Sequence, residues 1–475
     1  MADPRDELDE ASRALGMVAE AAGSYLKALD HLRVHDPAAE ALLDELGGTL
    51  PDRGDGTLTG IAELLRIGTL TATHSSGPRF FHFVVGGSTP AALAADWVTS
   101  LLDQVAGMWT ASAFATQAET VVLGWLKELF GLPSSHGGVL TPSATFANLT
   151  GLACARWWWG EHHGVDVTAE GLAGLPRMPV LSSGYVHASS RKALQLLGCG
   201  RDSVQVFARD DAGRIDLEAM DRALAAIDGP AVIIGNAGEV NAGDFDPISE
   251  LADLASRHDA WLHVDGAFGL FAALSPRTSH LVRGIERADS VAADGHKWLN
   301  VPYESGFAFV RDPSVLGRAF GGWNAAYLPS EDDPHINYNQ LGPESSRRAR
   351  ALPIWATLRA YGRQGHRGMV ERHLDLARRL GRIVEDSPDL ELLAPVNLCV
   401  VCFRYRPPGV AAADLDELNR RLGEELLADG RVYAGTTVYR GVTALRPAIV
   451  NWRTTEDDID LLATVVREIG ARLSA

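Results

Sequence analysis

Cysteine is scarce, four among 475 residues, which excludes the disulfide framework that holds small secreted folds together. Cys399 and Cys402 do share the Cys-x-x-Cys spacing of zinc and redox sites. They lie in VNLCVVCFRY, an apolar, valine-rich run that reads as a core strand, where side chains three apart point to opposite faces and cannot share a metal. No metal is expected. Nor is there an uninterrupted apolar run of about 18 residues, the least that a membrane-crossing helix needs. The start, MADPRDELDE, has neither the basic residues nor the apolar stretch of a secretory signal, so the expectation is a cytoplasmic protein without a membrane span. Basic residues are the minority charge: 43 Lys and Arg against 61 Asp and Glu leave −18. That balance repels nucleic acid and anionic lipid and leaves small molecules as the expected partners. Internal repeats and low-complexity tracts are missing as well. Trp157-Trp158-Trp159 is locally unusual, but clustered indoles are more often packing than function.

What is present is ordinary globular usage, 46% hydrophobic and 22% charged, in a length that suggests roughly three domains. Residues 1–88 read as a helical arm: from about 5 to 47, apolar and charged positions recur at helical spacing, broken at Asp36-Pro37 and stopped at Gly47-Gly48. Its apolar face needs cover, and a partner subunit is one place to find it. Over residues 89–365, helical stretches alternate with short apolar runs (GGVL, MPVLSS, SVQVFA, AVIIGN, WLHVDG, SVAAD, GFAFVR), the pattern of an α/β domain with a mostly parallel sheet. Residues 366–475 read as a small α+β domain ending in an amphipathic helix from near Glu456.

The densest chemical signal is HVDGAFG at 263–269 followed by ADGHKWLN at 293–300. An amine that attacks a carbonyl must be neutral part of the time, and a hydrophobic or cationic setting achieves that for lysine. Lys297, between His296 and Trp298 and after the apolar SVAA, has such a setting. Asp265 ends the apolar WLHV, and Gly266 and Ala267 leave room for a flat ring against the backbone. A pyridine nitrogen kept protonated by an adjacent anion lets its ring accept electrons from a breaking bond, although a strand-end Asp is as often a helix cap. GGVLTPSATFAN at 137–148 offers Thr141, Ser143 and Thr145 at a helix start, suited to a phosphate but, taken alone, more often only a cap. His187, in YVHASSRKA, is by itself more often structural; beside Lys297 and Asp265 it becomes a candidate to stack on a ring.

These motifs, with SSGPRFFHFVVGGSTPAALAADW before them and LRPAIVNWRTTEDDID after, resemble the group II decarboxylases of amino acids that use pyridoxal 5′-phosphate (PLP), over nearly the whole chain. The resemblance implies the aspartate-aminotransferase (type I) fold as an intertwined homodimer with its active site at the subunit interface. It implies that Lys297 bonds the cofactor covalently, Asp265 pairs with the pyridine nitrogen, Ala267 packs beneath the ring and His187 stacks over it. Ala144 and Thr145 fall at the phosphate, and His296 at the phosphate or the substrate carboxylate. It further implies a loop tyrosine that protonates Cα after carbon dioxide leaves. Aligning back from RRARALPIW places Tyr338 there, with Tyr327 as the alternative. The implied reaction is decarboxylation of an L-amino acid to its amine, leaning toward an aromatic substrate through Trp323 and a pocket containing Phe80, Phe81 and His82.

The chain departs from the family in two places. Glu239 and Val240 stand where many members have hydroxyls, which removes a phosphate contact, and Asp294 stands where some have asparagine, so that its charge must point away or share a proton. The competing reading keeps the cofactor and changes the outcome to aldehyde synthesis, aldol cleavage or transamination, since one cofactor supports all of these. A non-catalytic subunit that merely retains the fold is disfavoured by the intact Lys297, Asp265, His187 and Tyr338.

Overall fold

A computed structural model describes residues 3–322 and 334–475. Two sheets organise it. The larger contains seven strands, β1 (Gly137–Thr141), β2 (Val180–Ser182), β3 (Val204–Val206), β4 (Ala231–Asn236), β5 (Ala260–Asp265), β6 (Ser290–Asp294) and β7 (Gly306–Val310), in the order β1-β7-β6-β5-β4-β2-β3. Only β7 runs against its neighbours. Each of the seven apolar runs contributes one strand. β4, β5, β6 and β7 are buried along their whole length, which is why they read as continuous apolar runs and not as an alternation.

Helices α1 (Ala11–Ala28) and α2 (Thr57–Thr71) form the arm, separated by a 3-10 stretch at Pro37–Leu46. Next come α3 (Pro90–Leu102), α4 (Ala113–Phe130), α5 (Ala144–His162), α6 (Ala188–Leu196), α7 (Leu217–Ala225), α8 (Ile248–Arg257) and α9 (Pro313–Phe320). The long α10 (Ala351–Asp386) is interrupted at Gly362, whose φ of 58° is left-handed. Along it the core changes. Ile354, Leu358, Val370 and Leu374 pack with the large sheet, whereas Leu376, Ala377, Leu380 and Val384 pack in the C-terminal core. That second core lies under α11 (Leu415–Asp429), α12 (Glu456–Ser474) and an antiparallel sheet β10-β11-β9-β8, formed by β8 (Leu390–Leu392), β9 (Phe403–Tyr405), β10 (Thr436–Tyr439) and β11 (Val442–Leu445).

The strand expected across VNLCVVCFRY is shorter than its apolar run: β9 begins at Phe403, and before it Val400 makes a single bridge to Ala448. Cys399 is buried in the large core and Cys402 in a cluster with Ala394, Tyr439 and Ala444, both as free thiols. Among the described residues no group of three His, Cys, Asp or Glu could hold a metal, and no helix is long and apolar enough to cross a membrane. The tryptophan triplet lies on α5, with Trp157 and Trp159 buried.

Candidate active site

In sheets of this kind ligands gather at the carboxyl ends of the strands, and here those ends carry Thr141, Asp265 and Asp294. Asp265 is 6% exposed. Its Oδ2 accepts from Asn148 Nδ2 (2.8 Å) and Ser190 Oγ (3.2 Å), and its Oδ1 from the Ala267 amide (3.2 Å). Ala267 itself is only half-buried, leaving backbone accessible beside the carboxylate.

Lys297 lies in a wide π-type turn, Gly295–Leu299, that follows β6 and ends at the left-handed Asn300. Its Nζ sits 5.8 Å from the centre of the Phe268 ring. The turn is held from three sides. Gly86 N donates to His296 O (3.0 Å), Asn300 Nδ2 donates to Val450 O (2.9 Å), and Trp298 Nε1 donates to His373 Nδ1 (2.8 Å). A lysine between such anchors cannot swing with its backbone; only its side chain moves.

His187 precedes α6, and its Nδ1 accepts from the Ser189 amide (3.2 Å), so in the neutral ring the proton resides on Nε2. Surrounding protein lowers its pKa, Asp265 opposes that, and Lys297 and Arg446 reinforce it. The ring surface is nonetheless open to solvent, as befits a residue lining a concavity with protein behind it. Ser189 Oγ links His187 to the carboxylate, lying 2.7 Å from His187 Nδ1 and 3.5 Å from Asp265 Oδ2.

The phosphate cradle differs from its expected form. Ser143 precedes α5 without capping it through its side chain, leaving amides at that helix start for an anion. One is taken: Ala144 N donates to Asp294 Oδ2 (3.0 Å). The other oxygen, Oδ1, lies 2.7 Å from His296 Nδ1, without the alignment of a hydrogen bond. Asp294 therefore points toward the cradle, one oxygen held at the α5 terminus and the other beside the His296 ring. His296 stacks on Tyr303 at 4.1 Å, and Ser305 Oγ is buried nearby without a partner. Half-buried Thr145, the rest of the α5 terminus and this orphan hydroxyl fit a phosphate, and Asp265, Ala267 and His187 fit a pyridine ring. The residues present thus suit PLP.

Tyr338 is not brought to this cluster. It is 2% exposed in the large core, its hydroxyl 2.9 Å from Thr120 Oγ1 and its ring 5.5 Å from the Arg347 guanidinium. Tyr327 and Trp323 lie outside the described residues. Phe81 is buried in the C-terminal core and Phe80 in a cluster with Val34 and Val85. The residue of that stretch that faces outward is Phe83, 61% exposed at a φ of 56°, its ring tilted against His82 with the centroids 3.8 Å apart. His82 is pushed down to about 4 by burial and then by Arg446, which connects this segment to the cleft. Glu239, in place of a hydroxyl, caps its own loop by accepting from the Asn241 (2.8 Å) and Ala242 (2.7 Å) amides.

Arg446, Asn148 and Ser190 carry no assignment from sequence reasoning. The LRPAIVNW motif marks Arg446 without its role, and an Asn mid-helix or a Ser in a helical first turn has no signature apart from the fold.

The model of the pyridoxal-dependent decarboxylase conserved domain matches residues 42–406. The chain belongs to this family. It is 30% identical to the aromatic-L-amino-acid decarboxylase of Bacillus atrophaeus, over 92% of this chain and 90% of that one. Equal identity, 30%, links it to the L-2,4-diaminobutyrate decarboxylase of Rhizobium meliloti (strain 1021), over 99% and 96% of the two chains. The crystal structure of Oryza sativa TDC with PLP and tryptamine superposes with a TM-score of 0.90 at 26% identity, over 98% of each chain. The protein is a PLP-dependent amino-acid decarboxylase with the type I fold.

Proposed function

We propose that this decarboxylase acts on an aromatic L-amino acid, as a cytoplasmic homodimer, with Lys297 as the covalent anchor of its cofactor. The observation that carries the reading is Asp265 at the end of β5, linked through the Ser189 hydroxyl to His187, with Lys297 in the turn that follows the neighbouring β6. Bound PLP supplies an electron sink for the pair released when the bond from Cα to the carboxylate breaks. Asp265 would pair with the pyridine nitrogen, Ala267 would pack beneath the ring, and the neutral His187 would cover it. The start of α5 at Ala144 and Thr145 would hold the phosphate through the Thr145 amide, the Ala144 amide being taken by Asp294, with His296 and the Ser305 hydroxyl beside it. Arg446, which donates to Val240 O at 3.3 Å, draws in and orients the substrate carboxylate. The Lys297 amine would hold the cofactor and, when free, could accept or return a proton near it. Tyr338, being buried, is assigned to packing, and Tyr327 is the candidate acid for Cα.

An aromatic substrate is favoured over a diamino acid by Phe83, which offers an exposed ring, while Asp265 and Glu239 are already engaged with protein donors and so are poor partners for a distal ammonium. A homodimer is favoured by the apolar surface of α3 and the turn after it: Trp97, Val98, Leu101, Leu102 and Val105 are each at least 40% exposed.

The test is carbon dioxide and amine release from a panel of L-amino acids, with Lys297→Ala as control and sedimentation for the dimer. Stoichiometric amine from tryptophan, tyrosine or phenylalanine, absent in the variant, is expected. Release only from diaminobutyrate or an acidic amino acid would refute the substrate assignment. Aldehyde with ammonia and hydrogen peroxide would refute the reaction outcome.

A further inference from the structure

Behind Asp265 runs a chain of buried polar groups that the mechanism above does not use. His263, two residues earlier on β5, is 0% exposed. Its Nε2 lies 2.9 Å from Asn148 Oδ1, and its Nδ1 2.8 Å from Ser290 Oγ, which in turn receives Trp261 Nε1 at 2.9 Å. The directions follow from chemistry alone. Carboxylates only accept, so Asn148 turns its Nδ2 to Asp265 and its Oδ1 to His263. The Asn148 oxygen then requires the proton of His263 to be on Nε2. That leaves Nδ1 to accept from the Ser290 hydroxyl, whose oxygen is free to receive the indole N–H. Every donor points toward Asp265, and the Asn148 amide, which also reaches Ser189 Oγ at 3.2 Å, makes its shorter bond to the carboxylate.

Helix α5 is shaped around this chain. A Cβ on Gly151 would stand 2.7 Å from His263 Nδ1 and Cε1 and 3.0 Å from Ser290 Oγ, so any side chain there would displace the imidazole. Burial pushes His263 down to about 4, against the influence of Asp265, so the ring stays neutral near pH 7.

We propose that His263, acting through Asn148, is a positioning residue: the relay Trp261, Ser290, His263, Asn148 fixes the Asp265 carboxylate toward the cofactor's pyridine nitrogen and stabilises its negative charge. Successive hydrogen bonds polarise one another, so the effect of His263 reaches Asp265 although the two side chains do not touch. This rests on the reading that Asp265 faces that nitrogen.

The experiment compares the affinity of apo-protein for PLP and for 1-deaza-PLP, in which the pyridine nitrogen is replaced by carbon. In wild type PLP binds more tightly, because only it can pair with Asp265. A bond to a charged group is the term at stake, so His263→Phe and His263→Asn, which lack a donor at the Nε2 position, shrink that preference by roughly 10-fold. His263→Gln, which keeps an amide donor there, restores most of it. A purely structural role would weaken both cofactors equally and leave the preference intact, which overturns the relay. Gly151→Ala serves as the second route should the His263 variants fail to fold, with the same loss of preference expected and the same overturning result. Asp265→Asn separates the two layers. If it abolishes the preference while the His263 and Gly151 variants keep it, the relay is wrong and the assignment of Asp265 stands; if it leaves the preference unchanged, both fall.

Discussion

His373 gives a prediction whose size follows from its surroundings. It is 0% exposed on α10, with Nδ1 accepting from Trp298 Nε1 and Nε2 donating to Asn451 O (2.9 Å). Adding a proton at Nδ1 would set one N–H against another in a space without water. Burial and then Arg372 accordingly push this imidazole down to about 3 from its ordinary 6.5. A depressed histidine stabilises the fold fully above pH 6.5, where neither state is charged. As pH falls toward 3, the unfolded chain takes up a proton that the folded one refuses, and the stabilisation is lost. Two pH units below 6.5, at pH 4.5, the loss from this one residue is about 3 kcal/mol. His373→Phe keeps the shape and removes both bonds, costing about 1–3 kcal/mol at pH 7. Urea unfolding followed by tryptophan fluorescence at pH 7 and pH 4.5 should find the variant less stable at the higher pH and the difference closing by about 3 kcal/mol at the lower. His82, His263 and every other titrating group are common to both proteins and cancel. Parallel pH dependences of the two would refute the reasoning.

Three further outcomes test other parts of the structure. Arg347 and Glu119, 5% and 1% exposed, form a two-pronged pair at 2.7 and 3.0 Å that also holds Leu140 of β1; Glu119→Gln strands a buried guanidinium and should cost about 3–5 kcal/mol in urea unfolding, and a cost below about 1 kcal/mol would contradict it. A Cβ on Gly86 would lie 1.7 Å from Lys297 O, so Gly86→Ala should displace the lysine turn and abolish visible cofactor absorbance, while normal absorbance would show that the turn yields without losing the site. Tyr338→Phe should cost about 1 kcal/mol for its bond to Thr120 and leave the amine-to-aldehyde ratio unchanged, whereas Tyr327→Phe should raise aldehyde; the opposite pattern by product chromatography would return Tyr338 to the chemistry.

Much of the architecture could be read in one dimension because the physics behind it is local. Strands buried on both faces must be apolar throughout, so AVIIGN, WLHVDG and SVAAD announced β4, β5 and β6. Lys297 and Asp265 were legible for a related reason: each sits in a short motif at a strand end, where neighbouring small residues and the turn to follow are part of the same string. The apolar run around Cys399 was misread as one long strand, because burial in a loop between two cores and burial in a sheet demand the same residues.

Tertiary structure decided what depends on distance through space. Phe80 and Phe81 look like pocket residues in FFHF, yet the chain turns through left-handed Phe83 and Val84 and sends the first two into separate cores. Tyr338 aligns with a loop position by counting, but counting cannot register that Thr120 and Arg347 close around it. Asp294 looked like a charge in the wrong place until the α5 amide and His296 were seen on either side of it. The relay behind Asp265 is the clearest case. Its members come from α5, β5 and β6, up to 142 positions apart in Asn148 and Ser290, and nothing in the order of residues requires that a histidine, an asparagine and a serine meet. Only the packing of a helix with a glycine at its closest point against two parallel strands brings them within hydrogen-bonding reach.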